Sequence, residues 1–259
     1  MSSVADLPAA RVVEREARAF SKLWRGSVFS SVLTPVLYLG AMGLGLGALV
    51  DSRNGGVSGT SYLIFVTPGL LAAGTTISAA GEAMWPIMGG FKWGRQYHAI
   101  AAAVPSPGDI YDGVIAWRGC LVALSASAFL VVAALLGGVP SPWGVLAVPA
   151  AVLGALAIAA PLAAYVATRE SDVSFVVIYR VAVFPLFLFS GTFFPVSMLP
   201  DSVRWLVVIS PLWHTVELCR GATTGHIGWS AMVHVAVLAG CVVVGRWWGH
   251  RTFARRLSP

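Results

Sequence analysis

The sequence predicts an all-α integral membrane protein with six transmembrane helices. Of its 259 residues, 57% are hydrophobic and only 11% are charged, whereas about 25% of the residues in soluble domains are charged. A mean hydropathy of +0.79 supports the same class. Runs long enough to cross about 30 Å of hydrocarbon as helices occur over 27–50, 61–83, 110–137, 143–167, 173–195 and 229–248.

Helices are expected because backbone N–H and C=O groups find no water inside a bilayer, which leaves helices and closed barrels as the spanning structures. The six runs are continuously apolar, without the alternation that barrel strands show. We therefore expect one six-span domain over 27–248, an N-terminal segment over 1–26 and a basic tail over 249–259.

The N-terminal segment has the pattern of an amphipathic helix. It is charged and has no early apolar core, so nothing in it predicts a cleaved signal peptide. We expect it to lie on the inner leaflet with its basic side chains toward anionic lipid headgroups; a solvated helix that only precedes the first span is the alternative. Its apolar stripe is Val13, Ala17, Phe20 and Trp24, and its basic stripe is Arg11, Arg15, Arg18, Lys22 and Arg25.

Lysine and arginine are distributed unequally between two sets of loops, which predicts the orientation. The crowded set holds the basic stripe, Lys92, Arg95, Arg169 and the arginines after residue 245. The other set holds Arg53, Arg204 and Arg220. We expect the crowded set and both termini to be cytoplasmic, with the chain in the plasma (inner) membrane. An even number of spans agrees with this orientation.

Several kinds of cofactor and partner are not expected. Cys120, Cys219 and Cys241 lie far apart without a C-x-x-C pair, so neither a disulfide framework nor a zinc site is predicted. The sequence contains no G-x-x-x-x-G-K-[ST] loop to hold the phosphates of ATP. We expect no metal, no cofactor and no nucleic acid to bind this chain.

The segment over 84–104 is basic and rich in aromatic residues, and it lies between the second and third spans. It is expected to form a short amphipathic helix that ends at Pro105 and Pro107. The helix lies either on the lipid surface or in a groove of a soluble partner. Trp93, Tyr97, Ile100 and Val104 would share one apolar face, and Lys92, Arg95 and Gln96 would point elsewhere.

Three stretches in this order resemble type-2 ABC transporter permeases, specifically the nodulation lipo-oligosaccharide and daunorubicin-type exporter branch. The stretch "GEAMW…GRQYHAIAAAVPSPGDIYDGVIAW" resembles the family's second span, cytoplasmic coupling helix and third-span start. "FPLFLFSGTFFPVSMLP" over 184–200 resembles its fifth-span signature, and "SPLWHTVELCRGA" over 210–222 resembles the outer segment that follows. Val104 departs from the pattern, because the family often has Thr before this proline.

The resemblance implies an exporter permease that pairs with a second permease subunit, the same or a paralogous chain. Each permease would bind a separate ATP-hydrolysing subunit, which would hold ATP and magnesium. The substrate would be an amphipathic or lipid-linked molecule such as a drug, lipid or glycolipid, moved outward. The residues implied in coupling to the ATPase are Glu82, Phe91, Lys92, Trp93, Arg95, Tyr97 and Ile100.

The segment over 197–222 has only about nine strongly apolar residues before Pro211 and charges on both sides, so its apolar run is too short to cross the membrane. We expect a pair of short re-entrant or interfacial helices on the outer face that close the exit of the pathway. His214, Glu217 and Arg220 share a helical face and are expected to form a small ion pair rather than a catalytic site. The residues assigned to this outer gate are Phe193, Phe194, Pro195, Leu206, Pro211, His214, Glu217 and Arg220.

Some polar and small residues occur inside the apolar runs. Glu82, Arg118 and Arg180 lie near the cytoplasmic ends of their spans, where they either anchor the helices or pair at an interface. Gly43 and Gly47 lie four residues apart and allow close helix contact, which we expect at a dimer interface.

An integral-membrane lipid or glycan transferase is the alternative to a permease, and a channel that works without ATP is a third possibility. A transferase needs clustered acidic or histidine residues near an interface. The 11 acidic residues of this chain are scattered, so the permease is favoured.

Overall fold

The structure is a computed structural model that describes residues 8–22, 33, 36–57, 59–102 and 106–258. Within these residues the fold is helical, apart from one isolated bridge between Val57 and Thr60. The predicted all-α class is confirmed. Four of the described helices are long and apolar enough to cross a membrane: Tyr62–Phe91, Pro107–Leu135, Pro142–Val166 and Ser230–Leu257.

The described α-helices, in chain order, are α1 (Pro8–Phe20), α2 (Gly47–Asn54), α3 (Tyr62–Phe91), α4 (Gln96–Ala101), α5 (Pro107–Leu135), α6 (Ala147–Val166), α7 (Val173–Ile178), α8 (Phe184–Phe189), α9 (Asp201–Ile209), α10 (Pro211–Thr224) and α11 (Ser230–Leu257). A π-helical segment, Leu39–Leu46, leads into α2, and another, Tyr179–Val183, joins α7 to α8. A 3-10 helix, Pro142–Leu146, precedes α6.

Two α-helices, like the 3-10 helix Pro142–Leu146, begin with a capping serine followed by a proline. The Ser106 hydroxyl accepts a hydrogen bond from the Gly108 N–H at 3.1 Å, and Pro107 is the first residue of α5. Ser210 does the same for the Leu212 N–H at 3.2 Å, and Pro211 begins α10. A serine cap satisfies an N–H that has no partner within the helix, and proline loses nothing at this position.

Helix α6 lies at the centre of the bundle, against α3, α5, α10 and α11. It is rich in alanine, and Ala151, Ala155, Ala159 and Ala163 are fully buried. Small residues let helix backbones approach closely where lipid supplies no hydrophobic driving force. Gly245 of α11 extends this packing, because a Cβ added there would lie 2.7 Å from the Pro161 backbone nitrogen.

The buried apolar residues form two clusters, one at each end of the bundle. We call the first end the basic end, because α1, the 92–95 turn, the loop after α6 and the last turns of α11 bring most arginines there. The other is called the opposite end. It contains the starts of α3, α6 and α11, together with α10.

The predicted helix over 84–104 is wrong in its bounds. Helix α3 continues through Gly89 and Gly90 to Phe91. Its last turns are stabilised because Ile87, Met88 and Phe91 are buried. Residues 92–95 then form a turn, and α4 covers only Gln96–Ala101. Arg95, with φ 47°, lies in the left-handed region that few non-glycine residues adopt. Residues 103–105, which include Val104, lie outside the described part of the chain.

Three other predicted bounds differ from the structure. Part of the first predicted span, 27–50, lies outside the described residues, and the rest is helical from 36 onward. The fifth apolar helix ends at Phe189, before Gly191 with φ 80°, and at Val173–Phe189 it is shorter than the four long helices. The predicted tail after residue 248 is not a separate segment, because α11 continues to Leu257.

Helix α1 has a buried contact that its sequence pattern did not predict. Val12, which is 1% exposed, packs on α5 at Gly113, where an added Cβ would lie 2.9 Å from Val12 Cγ1. The rings of Phe20 and Trp117 meet edge to face at 5.6 Å. The described part of α1 is therefore held against α5. Trp24 and Arg25 lie outside the described residues.

Candidate functional site

Four aromatic rings pack together at the basic end and link four parts of the chain. The rings of Phe91 and Tyr97 lie 4.9 Å apart, as do those of Phe91 and Phe253. Tyr111 meets Phe253 at 5.2 Å. All four rings are buried, and the edge-to-face arrangement is favourable for aromatic pairs. The ring cluster therefore joins the 92–102 connection to α3, α5 and α11.

Tyr97 is the residue that seats the connection in this cluster. Only 1% of it is exposed, and its ring lies against Gly90, where an added Cβ would collide with it. Burial raises the pKa of the Tyr97 phenol above its ordinary value, so the side chain is neutral at physiological pH. Gly90 thus provides the space that lets Tyr97 reach the core.

Polar contacts fix the same connection from three sides. The Lys92 ammonium donates to the Glu170 carbonyl at 2.8 Å, and the Arg15 guanidinium of α1 donates to the Gln96 side chain at 2.8 Å. Arg256 of α11 lies over the Phe91 ring at 4.7 Å and donates to the carbonyls that end α6, including that of Val166 at 3.1 Å. The end of α3, the turn and the start of α4 are therefore held by α11, by the loop after α6 and by α1, respectively.

The residues predicted to couple to an ATPase have unequal positions in the structure. Trp93 is 62% exposed, whereas Tyr97 is buried, so the two rings do not share one docking face. Arg95 is exposed, Ile100 is partly buried, and Phe91 is in the core. The sequence analysis placed Trp93 and Tyr97 on one face because it assumed a continuous helix through residues 92–95, where the structure has a turn.

Glu82 forms an ion pair inside the bundle. Its carboxylate accepts from the Arg118 guanidinium at 2.6 Å, and this contact joins α3 to α5. The Arg118 side chain is 8% exposed and that of Glu82 is 47% exposed. A charge in a transmembrane helix costs free energy unless it is paired. The pairing of Glu82 with Arg118 therefore explains how both charges are tolerated in apolar helices. Arg180 lies in the π-helical segment Tyr179–Val183 and is exposed.

A second ionic cluster at the basic end was not predicted. The Asp112 carboxylate accepts two hydrogen bonds from Arg246, at 2.9 and 2.7 Å, and contacts His250 Nε2 at 2.9 Å. The bidentate geometry is the strong form of this contact, and it joins the start of α5 to α11. The sequence signal was the spacing of Arg246 and His250, four residues apart on one helix face.

At the opposite end, Arg220 connects α10 to the segment that follows α8. It donates to the Gly191 carbonyl at 2.7 Å and forms an ion pair with Glu217. Its guanidinium also lies 4.7 Å from the centre of the Phe65 ring of α3. The Glu217–Arg220 ion pair was predicted from the sequence. The hydrogen bond from Arg220 to Gly191, 29 residues earlier in the chain, was not predicted.

His214 has a partner that the sequence did not reveal. Its Nδ1 lies 2.7 Å from Nδ1 of His234 in α11, and the Trp213 ring contacts both imidazoles. Burial lowers the pKa of His214, and the neighbouring His234 lowers it further. Neutral rings are therefore favoured, with one Nδ1–H donating to the other ring's Nδ1.

The other residues assigned to the outer gate flank these contacts. Phe193 packs edge to face on Phe187 at 5.1 Å, and its carbonyl accepts from the Tyr62 hydroxyl at 3.4 Å. The ring of Phe194 lies 6.5 Å from that of Phe189. In α9, Leu206 is 53% exposed. Pro195 precedes the short 3-10 helix Val196–Met198.

Gly43 and Gly47 have neighbours in their own chain. A Cβ added at Gly43 would collide with the Leu63 side chain, and one at Gly47 would lie 3.7 Å from Tyr62 Cβ. Gly43 therefore permits a close approach to α3, whereas the contact at Gly47 has an ordinary van der Waals distance. The predicted dimer contact at Gly43 and Gly47 stays a prediction.

The bundle of long apolar helices, with polar clusters at both ends, defines a multi-pass helical membrane protein. The sequence model of the ABC-2 type transporter family matches residues 12–223, and the chain belongs to this family. It is thus a membrane subunit of an ABC transporter, a class in which a separate subunit carries the ATPase activity.

Similar proteins support the same assignment. The chain is 29% identical to nodulation protein J of Rhizobium leguminosarum bv. viciae, over 93% of each chain. It is 29% identical to nodulation protein J of Rhizobium meliloti, over 96% of this chain and 93% of that protein. The identity to nodulation protein J of Sinorhizobium fredii is 30%, over 88% and 85% of the two chains.

Proposed function

We propose that this chain is the permease subunit of an ATP-driven exporter in the plasma (inner) membrane, with six spans and both termini in the cytoplasm. Its substrate is an amphipathic or lipid-linked molecule that moves outward. A second permease subunit and an ATP-binding subunit, which holds ATP and magnesium, complete the transporter. Family membership and the unequal distribution of basic residues support this proposal.

The buried ring cluster is the observation that carries the coupling mechanism. A displacement of the 92–102 connection by a bound ATPase acts on Tyr97, and Tyr97 packs against rings of α3 and α11. Packed interiors transmit displacement because they contain few voids. A displacement of the connection therefore reaches α3 and α11 at once.

The contact surface for the ATPase consists of the exposed residues of the connection. Trp93 is the largest of them, and Arg95 and His98 are exposed near it. Aromatic and arginine side chains dominate binding at protein interfaces. In this arrangement Trp93 binds the ATPase and Tyr97 transmits its movement, so the two aromatic residues have different tasks.

At the opposite end, α9 and α10 act as the outer gate. Arg220 holds Gly191 and His214 contacts His234, so a movement of α10 displaces both the segment after α8 and the start of α11. Leu206 and Ile209 remain exposed on α9, where apolar side chains suit the outer leaflet.

The proposal is tested with Trp93→Ala in the complete transporter. Because Trp93 is 62% exposed, its loss should leave the thermal stability of the permease unchanged. It should reduce co-purification of the ATPase about tenfold or more, since removing an aromatic hot spot costs about 2 kcal/mol or more. Trp143→Ala is the matched control, because Trp143 is 59% exposed at the opposite end.

Full ATPase retention and full substrate-stimulated hydrolysis by the Trp93→Ala transporter would contradict the docking surface. If the connection lies instead on the lipid surface, Arg95→Ala should reduce membrane contact while Trp93→Ala leaves every protein partner in place. Co-purification and hydrolysis rates, measured with and without substrate, distinguish these cases.

A further inference from the structure

A cavity of about 510 Å³ opens between α6, α10 and α11 at the opposite end of the bundle. One wall is apolar and includes Pro149, Ala150 and Leu153 of α6. On the other side, five polar residues lie among apolar ones such as Leu218 and Ile227, and we call these five the polar wall: Glu217, Arg220, His226, Ser230 and His234. This volume lies in the usual range for small-molecule sites. The proposed outer gate uses contacts of Arg220 and His234, but it assigns no ligand to this cavity.

The polar wall presents both signs of charge. One oxygen of the Glu217 carboxylate accepts a hydrogen bond from Arg220. The other oxygen has no hydrogen-bond partner within the described part of the chain. A carboxylate has room for further donors. Ser230 begins α11, where the helix dipole favours negative charge. A carboxylate that can accept from a cation and a helix start that favours negative charge thus lie beside the same cavity.

The lining residues also limit the kind of cation. The described residues that surround the cavity include no phenylalanine, tyrosine or tryptophan. A quaternary ammonium group such as choline is usually recognised by aromatic rings through cation–π contacts. A primary ammonium group instead donates directly to a carboxylate, which Glu217 supplies.

The start of α11, next to the cavity, has the features of a membrane–water interface. Trp229 is 86% exposed directly before Ser230, and tryptophan is enriched at the level of lipid headgroups. Val235 and Leu146 extend the apolar lining on either side. An acyl chain in this position contacts apolar residues while its headgroup reaches the polar wall.

We infer that the cavity binds a bilayer phospholipid with a zwitterionic headgroup that carries a primary amine, such as phosphatidylethanolamine. The ammonium group donates to Glu217. The phosphate lies near Ser230 and His226 at the start of α11, and an acyl chain follows Ala150 and Leu153. In the proposed orientation this lipid belongs to the outer leaflet.

Native mass spectrometry of the detergent-solubilised full chain tests this inference. The probes are the dioctanoyl forms of phosphatidylethanolamine, phosphatidylcholine and phosphatidylglycerol. Phosphatidylethanolamine should bind about tenfold more tightly than either of the others, because only its ammonium group makes a charge-assisted hydrogen bond to a carboxylate.

Two variants localise the binding. Glu217→Gln should remove the preference for phosphatidylethanolamine, and Ala150→Trp should fill the cavity and reduce binding of all three lipids. Val244→Trp is the control, because Val244 is 61% exposed on α11 and does not line the cavity. If Glu217→Gln does not fold, the lipid series and Ala150→Trp still decide.

Equal affinity for phosphatidylglycerol or phosphatidylcholine would overturn the inference. A folded Ala150→Trp chain with unchanged lipid binding would do so as well. Lipid binding to the isolated chain requires neither ATPase nor export, so failure of the proposed function leaves this test intact. Conversely, loss of the lipid preference would say nothing against the ATPase contact at Trp93.

Discussion

Replacement of Tyr97 by alanine should destabilise the permease itself. The Tyr97 side chain is 1% exposed and packs on Phe91 and Phe253 at ring distances of 4.9 and 6.0 Å. Truncation of a buried aromatic residue to alanine costs about 3–5 kcal/mol. For a chain of this size each kcal/mol shifts the Tm by about 2–4 °C. We therefore expect the Tm to fall by roughly 6–20 °C.

Gly90 offers a matched second perturbation of the same contact. An added Cβ at this position collides with the Tyr97 ring, so Gly90→Ala alone should cost about 1–3 kcal/mol through overpacking. In the Tyr97→Ala background the space is vacant. There the same change should cost nothing or even stabilise α3, because alanine is a better helix former than glycine by about 0.5–1 kcal/mol.

Thermal unfolding of the four chains in detergent measures this cycle, with Tyr97→Phe as the control that keeps the ring. The expected coupling between residues 90 and 97 is at least about 1 kcal/mol, since contacting residues are non-additive. Additive effects within about 0.3 kcal/mol would refute the packing of Tyr97 on Gly90. A Tyr97→Ala chain with an unchanged Tm would refute its burial.

Three further predictions concern other parts of the bundle. Glu82→Gln should lower the free energy of unfolding by about 1–3 kcal/mol, less than the 3–5 kcal/mol of a fully buried pair, because Glu82 is 47% exposed. The Glu82→Gln, Arg118→Met double variant should unfold at a higher temperature than Glu82→Gln alone. The reverse order of unfolding temperatures would count against the ion pair. Single cysteines in a cysteine-free chain should react with an impermeant reagent from outside at position 202 but not at position 251, and labelling at 251 would invert the proposed orientation. Leu206→Glu should reduce export with assembly intact, whereas Leu206→Met should not, and full transport by Leu206→Glu would make α9 a plain exposed helix.

The class of the fold and the longest helices follow from the sequence because they rest on extended apolar runs. The run after residue 61 predicts the start of α3 closely, and Ser106 with Pro107 marks the start of α5. The end of α3 could not be predicted in this way. Gly89 and Gly90 look like a helix end, and only the contact with a tyrosine seven residues later explains Gly90.

The contacts of the candidate site were less predictable because they join distant parts of the chain. His214 gains its partner from α11, and Asp112 gains two from the same helix. The periodicity of a single segment cannot predict contacts with residues of another helix. Glu82 and Arg118 could be singled out, since a charge in an apolar run is rare, but their pairing required the packing of α3 on α5.

The ring cluster at the basic end sets the order in which this protein matures. Tyr97 is made early and is followed by several apolar helices before Phe253 leaves the ribosome. Until α11 has inserted, Tyr97 lacks one of its ring partners, and Phe91 at the end of α3 lacks its contact with Arg256. Contacts between such distant residues form late because closing a long loop has an entropic cost. The proposed ATPase contact at Trp93 therefore implies that the ATPase is recruited only after α11 has inserted into the membrane.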